Sequence, residues 1–143
     1  MTISKSLGID DISGFDFAKE MLAGDSTAAV NFDRIQKHPK HGYIIFEYLL
    51  CDEKQKVTPY TSHPKNYWHK NSKKFISLFE VAKDLKATLF LVNYAKKGTK
   101  HENEILVIKV KDLDEHGIKD EKITEYTRVG FQTFFRKLNN DCL

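Results

Sequence analysis

From residue 43 to residue 51 the chain is apolar at almost every position (YIIFEYLLC), with Glu47 as the single charged interruption. A strand with one solvated face alternates apolar and polar residues, whereas a strand covered on both faces is apolar throughout. The segment therefore predicts a central strand. Residues 87–95 (ATLFLVNYA) and 104–110 (EILVIKV) predict two more, the latter alternating toward its end. Residues 28–35, carrying Val30, Phe32 and Ile35, predict a shorter strand, followed by a turn at His38-Pro39-Lys40-His41-Gly42. Helical spacing recurs three times. Phe15, Ala18, Met21 and Leu22 fit a short first helix between a Ser13 N-cap and a Gly24 stop. Phe75, Leu78, Phe79, Ala82 and Leu85 mark a helix over about residues 72–86. Phe131, Phe134, Phe135 and Leu138 form the core stripe of a last helix, from about 124 or 127 to 138, whose middle Gly130 weakens. Residues 1–13 read as a loosely held polar lead-in. Residues 52–71, polar and containing Pro59 and Pro64, read as a long exposed loop of the kind that is either functional or disordered.

The order helix, strand, strand, helix, strand, strand, helix predicts an α/β fold: one domain spanning residues 1–143, with a central mixed β-sheet flanked by helices. At 143 residues and 41% hydrophobic content the chain can enclose one core. No run approaches the roughly 18 apolar residues of a membrane span, and the start lacks the basic-then-apolar pattern of a secretory signal. The two cysteines, Cys51 and Cys142, make no metal spacing, and Cys51 lies in an apolar run where a buried reduced thiol is expected. A cytoplasmic location without membrane contact follows as an expectation. The net charge of +3 does not select a partner, but its distribution does. Six lysines fall between Lys54 and Lys74, no acidic residue occurs from 54 to 79, and Tyr60, His63, Tyr67, Trp68 and His69 are interleaved. Such a segment can meet phosphates with its charges and stack on bases with its rings. Lys65, Tyr67, Trp68, His69 and Lys70 are thus candidate nucleic-acid contacts; Trp68 turned inward as an anchor is the competing reading.

Glu47 is the most informative residue for chemistry. An ionised carboxylate inside an apolar strand costs several kcal/mol unless something pairs or binds it. Asp33, fourteen positions earlier near the end of the preceding predicted strand, can approach it if the two strands pair through the HPKHG turn. Two facing carboxylates repel unless a cation lies between them, and Mg²⁺ is held by one or two carboxylates with waters and substrate phosphate. His38 and His41 have HxxH spacing but sit in a turn, and are expected to be solvent-exposed rather than a zinc pair. No glycine-rich phosphate loop, GxSxG elbow or HExxH motif is present.

A helix, Asp33 on a strand, a turn, Glu47 on an apolar strand, an amphipathic helix and another buried strand resembles the PD-(D/E)xK nuclease superfamily, the restriction-endonuclease-like enzymes, over roughly residues 14–110. The resemblance implies that Asp33 and Glu47 hold a Mg²⁺ or Mn²⁺ ion and that Glu20 on the first helix supplies a further acidic ligand. It departs at Leu49, where the motif lysine should stand. Lys73, Lys74 and Lys83 on the following helix are the residues that could supply that charge. The implied function is metal-dependent hydrolysis of nucleic-acid phosphodiester bonds, with Asp33, Glu47, Lys73 and Lys74 as catalytic residues. The alternative is a catalytically inactive module that binds nucleic acid, or binds and inhibits a protein partner, as compact phage-encoded accessory proteins do. A dimer is compatible with either.

Overall fold

The structure, a computed structural model, describes residues 10–143. The greater part of the expected lead-in, residues 1–9, lies outside the described residues. The chain divides into two compact units, one running to Val30 with Leu143, the other Asn31–Cys142. In the first, α1 spans Asp10–Leu22, so the helix starts three residues before the expected Ser13 cap. Phe15, Phe17 and Met21 on it are exposed.

The second unit is an α/β fold built on a five-stranded mixed sheet in the order β1-β2-β3-β4-β5. Its strands are β1 (Arg34–His38), β2 (Gly42–Leu50), β3 (Thr88–Tyr94), β4 (Ile105–Asp114) and β5 (Gly117–Tyr126). β1 and β2 form an antiparallel hairpin, and β3, β4 and β5 are antiparallel in succession. β2 and β3 run parallel. Their connection contains a short 3-10 turn (Pro64–Tyr67) and α2 (Trp68–Leu85), the crossover that parallel neighbours require. α3 (Arg128–Asp141) closes the unit.

Burial on both faces explains the continuous apolar strands. Alternate residues Ile45, Leu89, Leu91, Leu106 and Ile108 meet Trp68, Phe75, Leu78 and Ala82 of α2. The intervening residues Ile44, Phe46, Val92, Ile105 and Val107 meet Phe131, Phe135 and Leu138 of α3. The expected mixed sheet with flanking helices is thus present, and the aromatic stripe of α3 packs on it half-buried.

Several boundaries differ from the sequence reading. The strand expected at 28–35 lies at 34–38, so Asp33 precedes β1 rather than ending a strand. His38, expected in an exposed turn, closes β1 at 6% exposure. Its Nδ1 accepts the Lys40 and His41 backbone N–H groups (3.0 and 3.2 Å), which leaves Nε2 to donate to Asp141 (3.3 Å). β5 was not expected at all. It is an edge strand, GIKDEKITEY, whose charged residues mimic a loop because one edge and part of one face meet water. Gly130 is not mid-helix: it occupies the first turn of α3, where its N–H donates to the N-cap Thr127 Oγ1 (3.0 Å). A Cβ there would stand 3.1 Å from that hydroxyl oxygen. Replacing Thr127 by alanine removes the cap and is expected to lower unfolding free energy by about 1 kcal/mol, with serine restoring most of it. Urea unfolding checks this, and an unchanged midpoint in the alanine variant would refute it.

Candidate active site

The regular β1–β2 pairing ends at Arg34↔Phe46, with Asp33 just before that pair on one side and Glu47 just after it on the other. The Asp33 N–H donates to the Phe46 carbonyl at 3.2 Å, one position out of that register, so the regular ladder stops here. Its carboxylate then takes the place of the next backbone acceptor: Oδ2 receives the Tyr48 N–H at 2.7 Å. Hydrogen bonds to Phe46 and Tyr48, on either side of Glu47, therefore hold the exposed Asp33 close enough to act on the buried Glu47 carboxyl. Glu47 is 5% exposed. Its Oε1 receives Lys74 Nζ at 2.7 Å, while Oε2 is buried without a hydrogen-bond partner.

Of the lysines that could replace the one missing at Leu49, Lys74 is the one in contact with Glu47. Lys73, the next residue on α2, is exposed, and Lys83 lies over the Phe79 ring at 5.9 Å. Lys74 reaches Glu47 because α2 crosses the sheet with Phe75 and Leu78 facing down, which leaves position 74 at the border of the buried stripe.

Burial pushes the Glu47 carboxyl above its ordinary 4.5; the hydrogen bond and charge of Lys74 pull it down, and the charge and hydrogen bond of Asp33 push it up. The net rise means that the folded chain holds the proton more tightly than the unfolded chain. This group's contribution to stability is therefore greatest below the ordinary carboxylate range and falls as pH rises through the folded value. Glu47→Gln removes the ionisation and gives Asp33 an amide donor in place of a charge. Lys74, 43% exposed, can turn to water. The substitution is expected to raise the melting temperature by a few degrees at neutral pH and by less in acid. A lower melting temperature at neutral pH would contradict the assigned cause. Such a gain on removing a charged site residue is the trade between stability and function.

A cavity of about 680 Å³, lined by Lys74 but by neither carboxylate, opens at the carboxyl ends of β2 and β3, the position where parallel strands commonly receive ligands. Lys56, Tyr67, Lys70, Asn71, Lys74 and Asn93 are among its lining residues. Segment 52–67, expected as an exposed loop, supplies one wall and is fastened down. Cys51 Sγ donates to the Val57 carbonyl (3.2 Å), Tyr60 Oη to the Tyr126 carbonyl (2.8 Å), and His63 Nε2 meets Glu121 at 2.8 Å. Pro59 and Pro64 are buried. Cys51 is buried and free, as expected.

The aromatic–basic segment divides. Lys65, His69 and Lys70 are exposed, and Tyr67 is half-buried with its hydroxyl pushed up to about 12 by burial. Trp68, a candidate nucleic-acid contact whose competing reading is an inward anchor, is 4% exposed and takes the inward role. It stacks on Phe75 (centroids 5.4 Å apart) and donates its Nε1–H to the Glu115 carbonyl at 2.9 Å. The ring faces the core because its hydrogen-bond partner, the β4–β5 turn, is inside reach, so it has no free face for a base. Glu20, the expected further acidic ligand, is exposed on α1 in the N-terminal unit. Among the described residues no group of three or more His, Cys, Asp or Glu side chains is gathered as a metal cluster. Two carboxylates, one with an unpartnered buried oxygen, nonetheless suit an ion that keeps several waters and takes the rest of its shell from a phosphate.

Asn93 was overlooked in the sequence, although a carboxamide inside the apolar run 87–95 is the same signal as Glu47. Its side chain is 1% exposed, at the end of β3. No helix among the described residues is long and apolar enough to cross a membrane. Comparison with protein-family models, with curated proteins and with solved structures returns no match.

Proposed function

We propose that this chain is a metal-dependent nuclease of the PD-(D/E)xK kind, hydrolysing phosphodiester bonds of nucleic acid, with the motif lysine relocated from the strand to α2. The observation that carries the reading is the Lys74 Nζ–Glu47 Oε1 contact of 2.7 Å, beside an Asp33 carboxylate fixed by the Tyr48 N–H. An acid pair and a lysine within one hydrogen-bonded group meet the chemical demands of the reaction. Asp33 and Glu47 would hold a Mg²⁺ or Mn²⁺ ion, which when bound supplies charge neutralisation and an acidified water. Lys74 would lie against the scissile phosphate, balancing charge that grows on its oxygens. Lys56 and Lys70, which both line the cavity, would bind the flanking backbone, as would the exposed Lys65 and His69.

A second reading, a binding module without catalysis, draws on the same contact: a lysine already neutralises the buried acid, so the pair is a sufficient structural answer to Glu47. One experiment separates the two. Labelled single-stranded and duplex DNA and RNA are incubated with the full chain and Mg²⁺ or Mn²⁺, with EDTA and Glu47→Ala as controls. Cutting that requires the ion and Glu47 supports the nuclease. Binding without cutting under every condition supports the module.

A further inference from the structure

Among the described residues two buried side-chain oxygens lack a hydrogen-bond partner, Glu47 Oε2 and Asn93 Oδ1. Both belong to the α2 side of the adjacent parallel strands, where Asn93 stands opposite Leu49, two residues beyond Glu47. The reaction outlined above uses Glu47 and leaves Asn93 unexplained. Asn93 Nδ2 donates to the Pro59 carbonyl (3.2 Å) and the Ser62 carbonyl (2.8 Å). These bonds fix the orientation of the amide, because turning it over would set Oδ1 against two carbonyl oxygens. Oδ1 is therefore an acceptor held in place with nothing to accept from, which buried side chains rarely tolerate without a purpose.

Asn93 lines the same cavity as Lys74. Leu49, Tyr67 and Phe75 give that cavity apolar and aromatic surface, and Lys70 and Lys74 give it positive charge. At about 680 Å³ it lies within the size range of pockets that enclose a small organic ligand. Its wall from segment 52–67 is tied to β3 and β5 through Asn93, Tyr60 and His63, so the space is formed before any ligand arrives.

Resting on the nuclease reading, we propose that this cavity takes in the base of one unpaired nucleotide, with Asn93 Oδ1 accepting a hydrogen bond from a base N–H while the adjoining phosphate lies against Lys74. A flat ring with a polar edge matches a lining in which Leu49, Tyr67 and Phe75 stand beside Asn66, Asn71 and Asn93, and a phosphate a few bonds away matches Lys70 and Lys74. Every natural base carries an N–H on its pairing edge, so one acceptor selects for a free base and only weakly for its identity. In a duplex that edge is engaged and the base is stacked. Entry then requires extrusion, which is least costly from a single strand. The substrate class is accordingly single-stranded or locally unpaired nucleic acid.

The test measures binding of the full chain by fluorescence anisotropy in EDTA, so that cleavage plays no part. The probes are one labelled oligonucleotide as single-stranded DNA, as single-stranded RNA, as blunt duplex, and as a single strand with an abasic central stretch. The better-bound single strand is expected to bind at least about tenfold more tightly than the duplex, and the abasic strand to lose about tenfold, the scale of one buried base contact. The DNA and RNA arms identify the sugar. Equal or tighter duplex binding, or an abasic strand bound as well as the intact one, overturns the base pocket. No binding to any probe overturns the pocket, while the nuclease reading stands or falls separately on cutting in the parallel Mg²⁺ assay. Base-dependent binding with no cutting in a parallel Mg²⁺ assay removes catalysis and leaves the pocket standing. Changing the ligand rather than Asn93 keeps the loop anchor, and hence the fold, intact.

Discussion

Lys74→Ala is expected to slow Mg²⁺-dependent cleavage by about a hundred- to a thousandfold, the usual consequence of removing one preorganised charge from a phosphoryl or acyl transition state. Lys73→Ala, at an exposed neighbouring position, should change it little. Of these two lysines only Lys74 meets the buried acid, at 2.7 Å, and α2 holds it there through the burial of Phe75 and Leu78 on the same helix. A stricter test follows from the strand. Leu49 points to the same face as Glu47 and lines the same cavity as Lys74, so Lys74→Ala combined with Leu49→Lys should recover part of the lost rate by delivering the charge from β2. Full activity in Lys74→Ala, or equal damage from Lys73→Ala, would reject the relocated lysine. Circular dichroism of each variant distinguishes lost chemistry from lost fold.

Trp68→Ala should cost about 3–5 kcal/mol of stability, the range for truncating a large buried aromatic, while His69→Ala and Lys70→Ala on the exposed side of the same turn should cost little. Trp68 stacks on Phe75, and its indole N–H satisfies the Glu115 carbonyl in the β4–β5 turn. It thus joins the start of α2 to the far hairpin. Trp68→Phe keeps much of the packing but leaves that carbonyl without its donor, so an intermediate loss is expected. Urea unfolding followed by circular dichroism measures all four variants. The chain has one tryptophan, so its fluorescence offers a second check: emission should be blue-shifted and unchanged when an oligonucleotide is added. Strong quenching by an oligonucleotide would restore Trp68 as a stacking residue.

Local pattern by itself determined the sheet core and the existence of α2 and α3. The middles of the runs 43–51, 87–95 and 104–110 are buried on both faces, and double burial writes itself into sequence as an unbroken apolar run. It also determined that Glu47 needed a partner, since a charge in such a run has no water to turn to. What it could not show was anything set by contacts between distant segments. β5 is an edge strand whose solvated residues read as loop, and only pairing with β4 makes it a strand. Trp68 and His63 looked like surface chemistry because their partners, Glu115 and Glu121, lie 47 and 58 residues away. Asp33 was placed near Glu47 by sequence, but its role as the acceptor for Tyr48 N–H depends on the β1 register. The choice of Lys74 over Lys73 and Lys83 was decided by the rotation and crossing of α2 over the sheet. Burial is a property of each residue's own neighbourhood and leaves a local trace, whereas partnership between charges depends on where the fold carries each end of the pair.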